Sequence, residues 1–430
     1  MKLEAFSGIE AIFKGSWRTL LRLLDICLSP GLHCWLIIVR NSTVEVFAPD
    51  WVREVQRRSL HATKYTTPII AKLALEPRFL NERNKIEKWF GTLPEDVKPD
   101  IQNRLRGESS HQHYGAYYEL VLSAFFKELG YFVDIHPKLD EGEPDLLITG
   151  NSLEKPIVIE VATVFDDPLW QKEQRKLNQI LERLARIEHY FLVHVSVQSD
   201  HIPEIVDYKA LKQFVVQWLD SFDPKITHKI HKVRYKLGEL KLELWLLPLK
   251  KPRKTSIVGG SMLPARFIGG QQLRRALEKK INKYKSVKKL EWPFVIAVSL
   301  ADASPLDEEN IIDELIGQKQ VTITMSQDGK ETARELRRDY GGLLTPKPGL
   351  GGRAQNRRLS AVIHIKSTWM ENGEQRTRAH SVSVIHNHWA DIPVNTEFLR
   401  GYPQLVCSSE SDSLVTFDWV DRDSAMSFDC

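Results

Sequence analysis

Cysteine is scarce in this chain: four in 430 residues (Cys27, Cys34, Cys407 and Cys430), with no CxxC pair and no spacing that suits zinc. A disulfide framework for so long a chain would need more, so a reducing, cytoplasmic setting is the expectation. Neither sign of charge dominates. The formal net charge is only +4, so contact with nucleic acid has to come from local basic patches rather than a global field. Long apolar runs are lacking as well. The most hydrophobic window, residues 19–39, is broken by Arg22, Asp25 and Pro30 and does not suit a membrane span. Glu4 and Glu10 ahead of it argue against a signal peptide. No GxGxxG follows a strand, and no Ser-His-Asp set with a nucleophile elbow occurs. The Gly/Pro stretch 341–352 lacks the GxxxxGK[ST] spacing, which excludes a P-loop. What remains is ordinary globular composition, 42% hydrophobic and 27% charged, enough for two or three domains with their own cores.

The informative stretch is 115–163. Tyr118, Val121, Leu122, Phe125 and Leu129 recur at helical spacing, and Gly130 stands where a helix C-terminal cap belongs. Glu119 lies beside that stripe. Three β-type runs follow, 131–136, 144–149 and 156–163, separated by Gly142 and by Gly150-Asn151-Ser152. Asp145 opens the second run after Pro144, and Glu160 sits inside the third with apolar residues on both sides. A charge in that place is expensive unless it is paired or binds a cation.

A helix glutamate, a Pro-Asp pair and a glutamate on the next strand, in this order, resemble the PD-(D/E)XK nuclease superfamily. A further likeness, to an uncharacterised branch of it, runs over residues 80–400 and includes Tyr117-Tyr118-Glu119-Leu120, His136-Pro137, Pro144-Asp145-Leu146 and Glu160-Val161-Ala162-Thr163. The resemblance implies an α/β fold with a restriction-endonuclease-like αβββαβ core and a mixed central sheet. It also implies hydrolysis of phosphodiester bonds in DNA with Mg²⁺ or Mn²⁺ held by Asp145, Glu160 and the Val161 carbonyl. Glu119 would hold a metal-bound water or a second ion. One position departs from the pattern: where the family has a lysine, two residues after the glutamate, this chain has Ala162. Lys280, with Lys283 in reserve, is the expected replacement, because both edge the apolar stripe Leu273, Leu277, Ile281 and Tyr284 of a basic helix; Lys172 and Lys176 compete with them. Ala162 also motivates the alternative, a catalytically inactive protein of this fold that binds DNA or a protein. A third possibility is a structural protein whose strand acids are merely paired with Lys or Arg.

Residues 1–105 are expected to be a mostly helical N-terminal region, 106–300 the core, and 301–430 a β-rich segment with an acidic, loosely ordered tail. Runs 35–40 and 43–48 read as a hairpin. The helix after Asp166 and the strand 190–197 are expected to complete the αβββαβ core. An alternating strand is read at 236–249, and 294–300 reads as a continuous apolar, buried strand. His386 and His388 are read as core or surface histidines, since no Cys or acid completes a metal set.

Overall fold

The computed structural model describes residues 44–59, 67–107, 109–140, 142–150, 153–165, 168–249, 258–261, 269–284, 291–300, 307–326, 328, 331–338, 341–346, 353–411, 414–422 and 427–428. The first strand of the hairpin expected at 35–48 lies outside them. Helices α1 (Pro49–Ser59), α2 (Ile69–Leu75), α3 (Leu80–Gly91) and α4 (Lys98–Arg106) lead to the long α5 (Ser110–Glu128). From Ala116 to Phe126, α5 is buried on every side, as a helix between two layers must be. It stops at Gly130, whose φ is +85°. There the Tyr131 N–H donates to the Phe126 carbonyl and the Gly130 N–H to that of Lys127, each at 3.0 Å, the double closure of a Schellman cap.

Strands β1 (Phe132–Ile135), β2 (Leu146–Thr149) and β3 (Ile157–Val164) follow as an antiparallel meander. Side chains of β3 alternate. Ile157, Ile159 and Val161 enter the core shared with α5, and Val158, Ala162 and Val164 enter the core on the other face.

The chain then leaves this sheet. Helix α6 (Pro168–Leu184), β4 (Phe191–Val197), α7 (Tyr208–Asp220), β5 (His231–Leu237), β6 (Leu240–Pro248) and β7 (Val258–Ser261) build a separate sheet of order β5-β6-β4-β7. The expectation that α6 and β4 complete the core is therefore wrong. The helix and strand that return to the central sheet are α8 (Gly269–Lys283) and β8 (Phe294–Leu300), with β8 parallel to β3. Burial explains the difference: β4 buries every second residue, whereas β8 is buried from Phe294 to Ser299, as a strand covered on both faces must be.

After α9 (Glu308–Ile316) come the paired β9 (Lys319–Met325) and β10 (Glu331–Arg338), then β11 (Leu359–Asn372), β12 (Gln375–His386), β13 (Gln404–Ser411), β14 (Leu414–Val420) and β15 (Ser427–Phe428). The central sheet is mixed, in the order β1-β2-β3-β8-β11-β12-β13-β14, with β15 on β12. Strand β11 lies parallel to β8, so the boundary expected at 300/301 runs through the middle of this sheet. The tail read as loosely ordered contributes β14 and its pairing with β13. The molecule is thus α/β, with α5 on one face of a mixed sheet and α8 and α9 on the other. Among the described residues no helix is long and apolar enough to cross a membrane.

Candidate active site

Leu146 pairs with Ile159, so the register carried one residue further sets Asp145 opposite Glu160. The β1–β2 ladder continues there too, the His136 N–H donating to the Asp145 carbonyl at 3.1 Å. Leu147 of β2 and Val158 and Ala162 of β3 point to the α8 side. With a two-residue period, Asp145 and Glu160 share that face.

Helix α8 lays its apolar stripe of Leu273, Leu277, Ile281 and Tyr284 on the same face, which brings its neighbouring lysines over the acids. The Lys280 ammonium donates to Asp145 Oδ2 at 2.8 Å and to Glu160 Oε2 at 2.7 Å. Lys283 Nζ donates to Glu160 Oε1 at 2.6 Å and to the Glu143 carbonyl at 2.7 Å. The Tyr284 hydroxyl donates to the same Oε1 at 2.6 Å. The Val161 N–H donates to Asp145 Oδ2 at 2.7 Å. In a strand a residue's N–H and C=O point to one side, so the Val161 carbonyl also faces the end of β2.

Glu160 is fully buried. Burial pushes the Asp145 carboxyl up, but Lys280, the Val161 N–H and Lys283 hold it below the usual carboxylate range. Burial works against the Lys280 charge, yet Asp145 and Glu160 raise its pKa above that of an ordinary lysine. Burial and then the Glu160 carboxylate push the Tyr284 phenol far up, so it stays a donor.

Glu119 arrives from α5, on the other face. Its Oε2 accepts from Arg104 Nη1 at 2.9 Å and Oε1 from Arg104 Nη2, and the His136 Nε2 lies 3.0 Å from Oε2. His136 follows β1 with φ at +50°, a left-handed backbone uncommon outside glycine. Its hydrogen bond to Glu119 raises its pKa above the ordinary histidine value, against burial and the Arg104 charge. One ligand atom from each of Glu119, His136 and Asp145 lies within 4.8 Å of the others.

No protein-family model, curated protein or solved structure matches this chain.

The site is therefore read from its own geometry. Of the residues singled out in the sequence, Asp145, Glu160, Val161, Lys280 and Lys283 come together, with Glu119 approaching Asp145 from the opposite face. Lys172 and Lys176 do not join them: Lys172 pairs with Glu204 at 2.6 Å and Lys176 with Glu173 at 2.8 Å, both in the separate sheet unit. Arg274 serves packing, its Nε donating to Glu314 at 2.8 Å and so tying α8 to α9. His386 is a core residue whose Nε2 lies 2.8 Å from Gln404 Oε1. His136 and Arg104 are functional candidates that no local signal singled out: Arg104 is one of several basic residues on the helices between 78 and 106. Their roles depend on where α4 passes the end of β1, which no local pattern encodes.

Proposed function

We propose that the chain is a divalent-metal-dependent nuclease that hydrolyses phosphodiester bonds in DNA, built on a restriction-endonuclease-like core. The observation that carries this reading is the meeting of Asp145, Glu160 and Lys280. The lysine that Ala162 lacks comes instead from α8, above the same face of the sheet. Topology supports it: α5, β1–β3, α8 and β8 run in the order helix, three strands, helix, strand, with the separate sheet as an excursion between β3 and α8.

The donor set fits a hard cation. Asp145, Glu160 and the Val161 carbonyl offer the oxygens that Mg²⁺ or Mn²⁺ takes, and Glu119 and His136 stand beyond Asp145. A bound divalent ion would polarise the scissile phosphate and lower the pKa of the attacking water. Lys280 supplies a protonated ammonium where negative charge gathers as the phosphorane forms. Lys283 and Tyr284 fix the Glu160 carboxylate, and Arg104 fixes that of Glu119.

A second reading has its own observation. The Lys280 ammonium already bridges both carboxylates, and with Lys283 it balances their charge without any ion. On that reading the chain keeps the fold and binds DNA or a protein without cutting. Incubation with plasmid and single-stranded DNA in Mg²⁺ or Mn²⁺, beside Asp145→Ala, separates the two, together with calorimetric Mn²⁺ titration of both proteins. Cleavage and Mn²⁺ binding that vanish in Asp145→Ala support the nuclease. A parent protein that neither binds Mn²⁺ nor cuts supports the inactive form.

A further inference from the structure

The separate sheet unit has a face that its own core does not use. Leu240, Leu242, Leu244 and Leu246 of β6 pack with residues of α6 and α7, so the alternate residues of that strand point away. Leu192, Trp245 and Leu247 on this outer face belong to none of the three hydrophobic cores. Strand register arranges the face in rows. Lys232, Trp245, His194 and Gly259 stand side by side across β5, β6, β4 and β7. The Lys232 ammonium lies 3.9 Å from the Trp245 ring centroid, and the His194 and Trp245 ring centroids are 5.5 Å apart. Glu243 holds the indole, accepting from Trp245 Nε1 at 2.7 Å. Gly259 ends the row with no side chain to overhang the rings.

The neighbouring rows are basic. Arg234 is paired in register with Glu243, and Lys236 with Lys241. Glu243 is the carboxylate that offsets the four cations of this face, and it is already engaged by Trp245 and lies 3.8 Å from Arg234. Lys236 and Lys241 are exposed and make no ion pair among the described residues. An aromatic pair, its rings tilted 52° to each other, flanked by ammonium groups at strand spacing is complementary to a ligand that alternates flat rings with anions. A run of Asp and Glu offers the charge but no rings, and a duplex hides its base faces.

We infer that this face binds single-stranded DNA, with unpaired bases stacked on Trp245 beside His194 and phosphates along Lys232, Lys236 and Lys241. The choice of DNA over RNA rests on the nuclease reading of the central sheet; the binding mode does not.

The test uses the full chain carrying Asp145→Ala, in EDTA, with a fluorescent oligothymidylate longer than the ~4–16 nucleotides that one such face covers. Anisotropy should report binding that Trp245→Ala weakens about ten- to a hundredfold and Trp245→Phe largely preserves. Replacing Lys232, Lys236 and Lys241 together by Ala should lower the slope of log affinity against log salt by about 2. Those lysines are exposed, so this variant decides the matter even if Trp245→Ala fails to fold. Absent binding, or binding untouched by every variant, overturns the proposal. So does an oligouridylate or a polyglutamate peptide bound as tightly as the oligothymidylate. Binding is read without metal in a variant lacking Asp145, so its loss counts against this face alone, and failure to cleave counts against the nuclease alone.

Discussion

Glu160 is fully buried and holds two ammonium groups and a phenol, whereas the side chains of Lys280 and Lys283 are 23% and 39% exposed. The lysines can turn to water if their partner is lost; the carboxylate cannot. Stranding Glu160 should therefore hurt more than neutralising it. We expect Lys280→Met to cost about 1.5–3 kcal/mol of stability, the range for a hydrogen bond to a charged group. Lys280→Met with Lys283→Met should exceed the sum of the single effects, whereas Glu160→Gln should be milder than the double variant. Urea melts of the parent, the two single lysine variants, the double variant and Glu160→Gln check this. If the nuclease reading holds, Lys280→Ala should also lower cleavage on the order of 10²–10³-fold, with DNA affinity falling far less.

His380 couples stability to pH. It is buried between Ser367 Oγ, 2.8 Å from Nδ1, and the Tyr117 hydroxyl, 3.2 Å from Nε2. Burial first, then Lys85 and Arg378, hold its pKa well below the ordinary 6.5. The folded chain thus keeps this imidazole neutral where the unfolded chain takes up a proton. The unfolded state binds more protons between the two pKa values, so stability is lost as pH falls below 6.5. His386, also depressed by burial, acts in the same direction. Melting temperatures should drop from pH 7.5 to 5.5, and His380→Gln should flatten that slope while lowering the plateau. An unchanged slope would show that other groups govern acid sensitivity.

At the scale of elements, what could be read was what local pattern encodes. Asp145 and Glu160 stood out because acids beside or within apolar strands are costly, and Lys280 because the α8 stripe fixes which face meets the sheet. The Gly130 cap was equally readable. At φ +85° a side chain there is strained even though a Cβ would meet nothing within 4 Å. Gly130→Ala should therefore cost about 1–2 kcal/mol, visible as a lower melting temperature with the site intact. The β5–β6 hairpin was missed. Alternation was followed through Gly238-Glu239, although the inward positions shift from Val233 and Tyr235 to Leu240 and Leu242 across that turn, and Gly238 has φ +58°. The partner of β3, which is β8, escapes local pattern for a different reason. Strand pairing across a hundred residues is decided by burial on both faces, and the alternation of β4 against the continuous run of β8 was the available signal.

For the molecule as a whole, the arrangement of cores matters most. The two faces of the central sheet are bound to each other through β3, β8 and β11, each of which contributes side chains to both cores. The core of Leu177, Leu181, Val193, Val195, Leu211, Leu242 and Leu244 shares no residue with either. Cooperative unfolding follows shared burial, so the separate sheet unit should open at a lower free energy than the central sheet. Val195→Ala tests this, because it removes two methyl groups from the middle of that isolated core. Hydrogen-exchange mass spectrometry should then show faster exchange in β4, β5 and β6 and unchanged protection in β3 and β8. The converse substitution, Val295→Ala in β8, should loosen α5, β3 and β11 together. If Val195→Ala instead accelerates exchange across β3 and β8, the two units unfold as one. A nucleic-acid face on β4–β6 could then not move independently of the acids at Asp145 and Glu160.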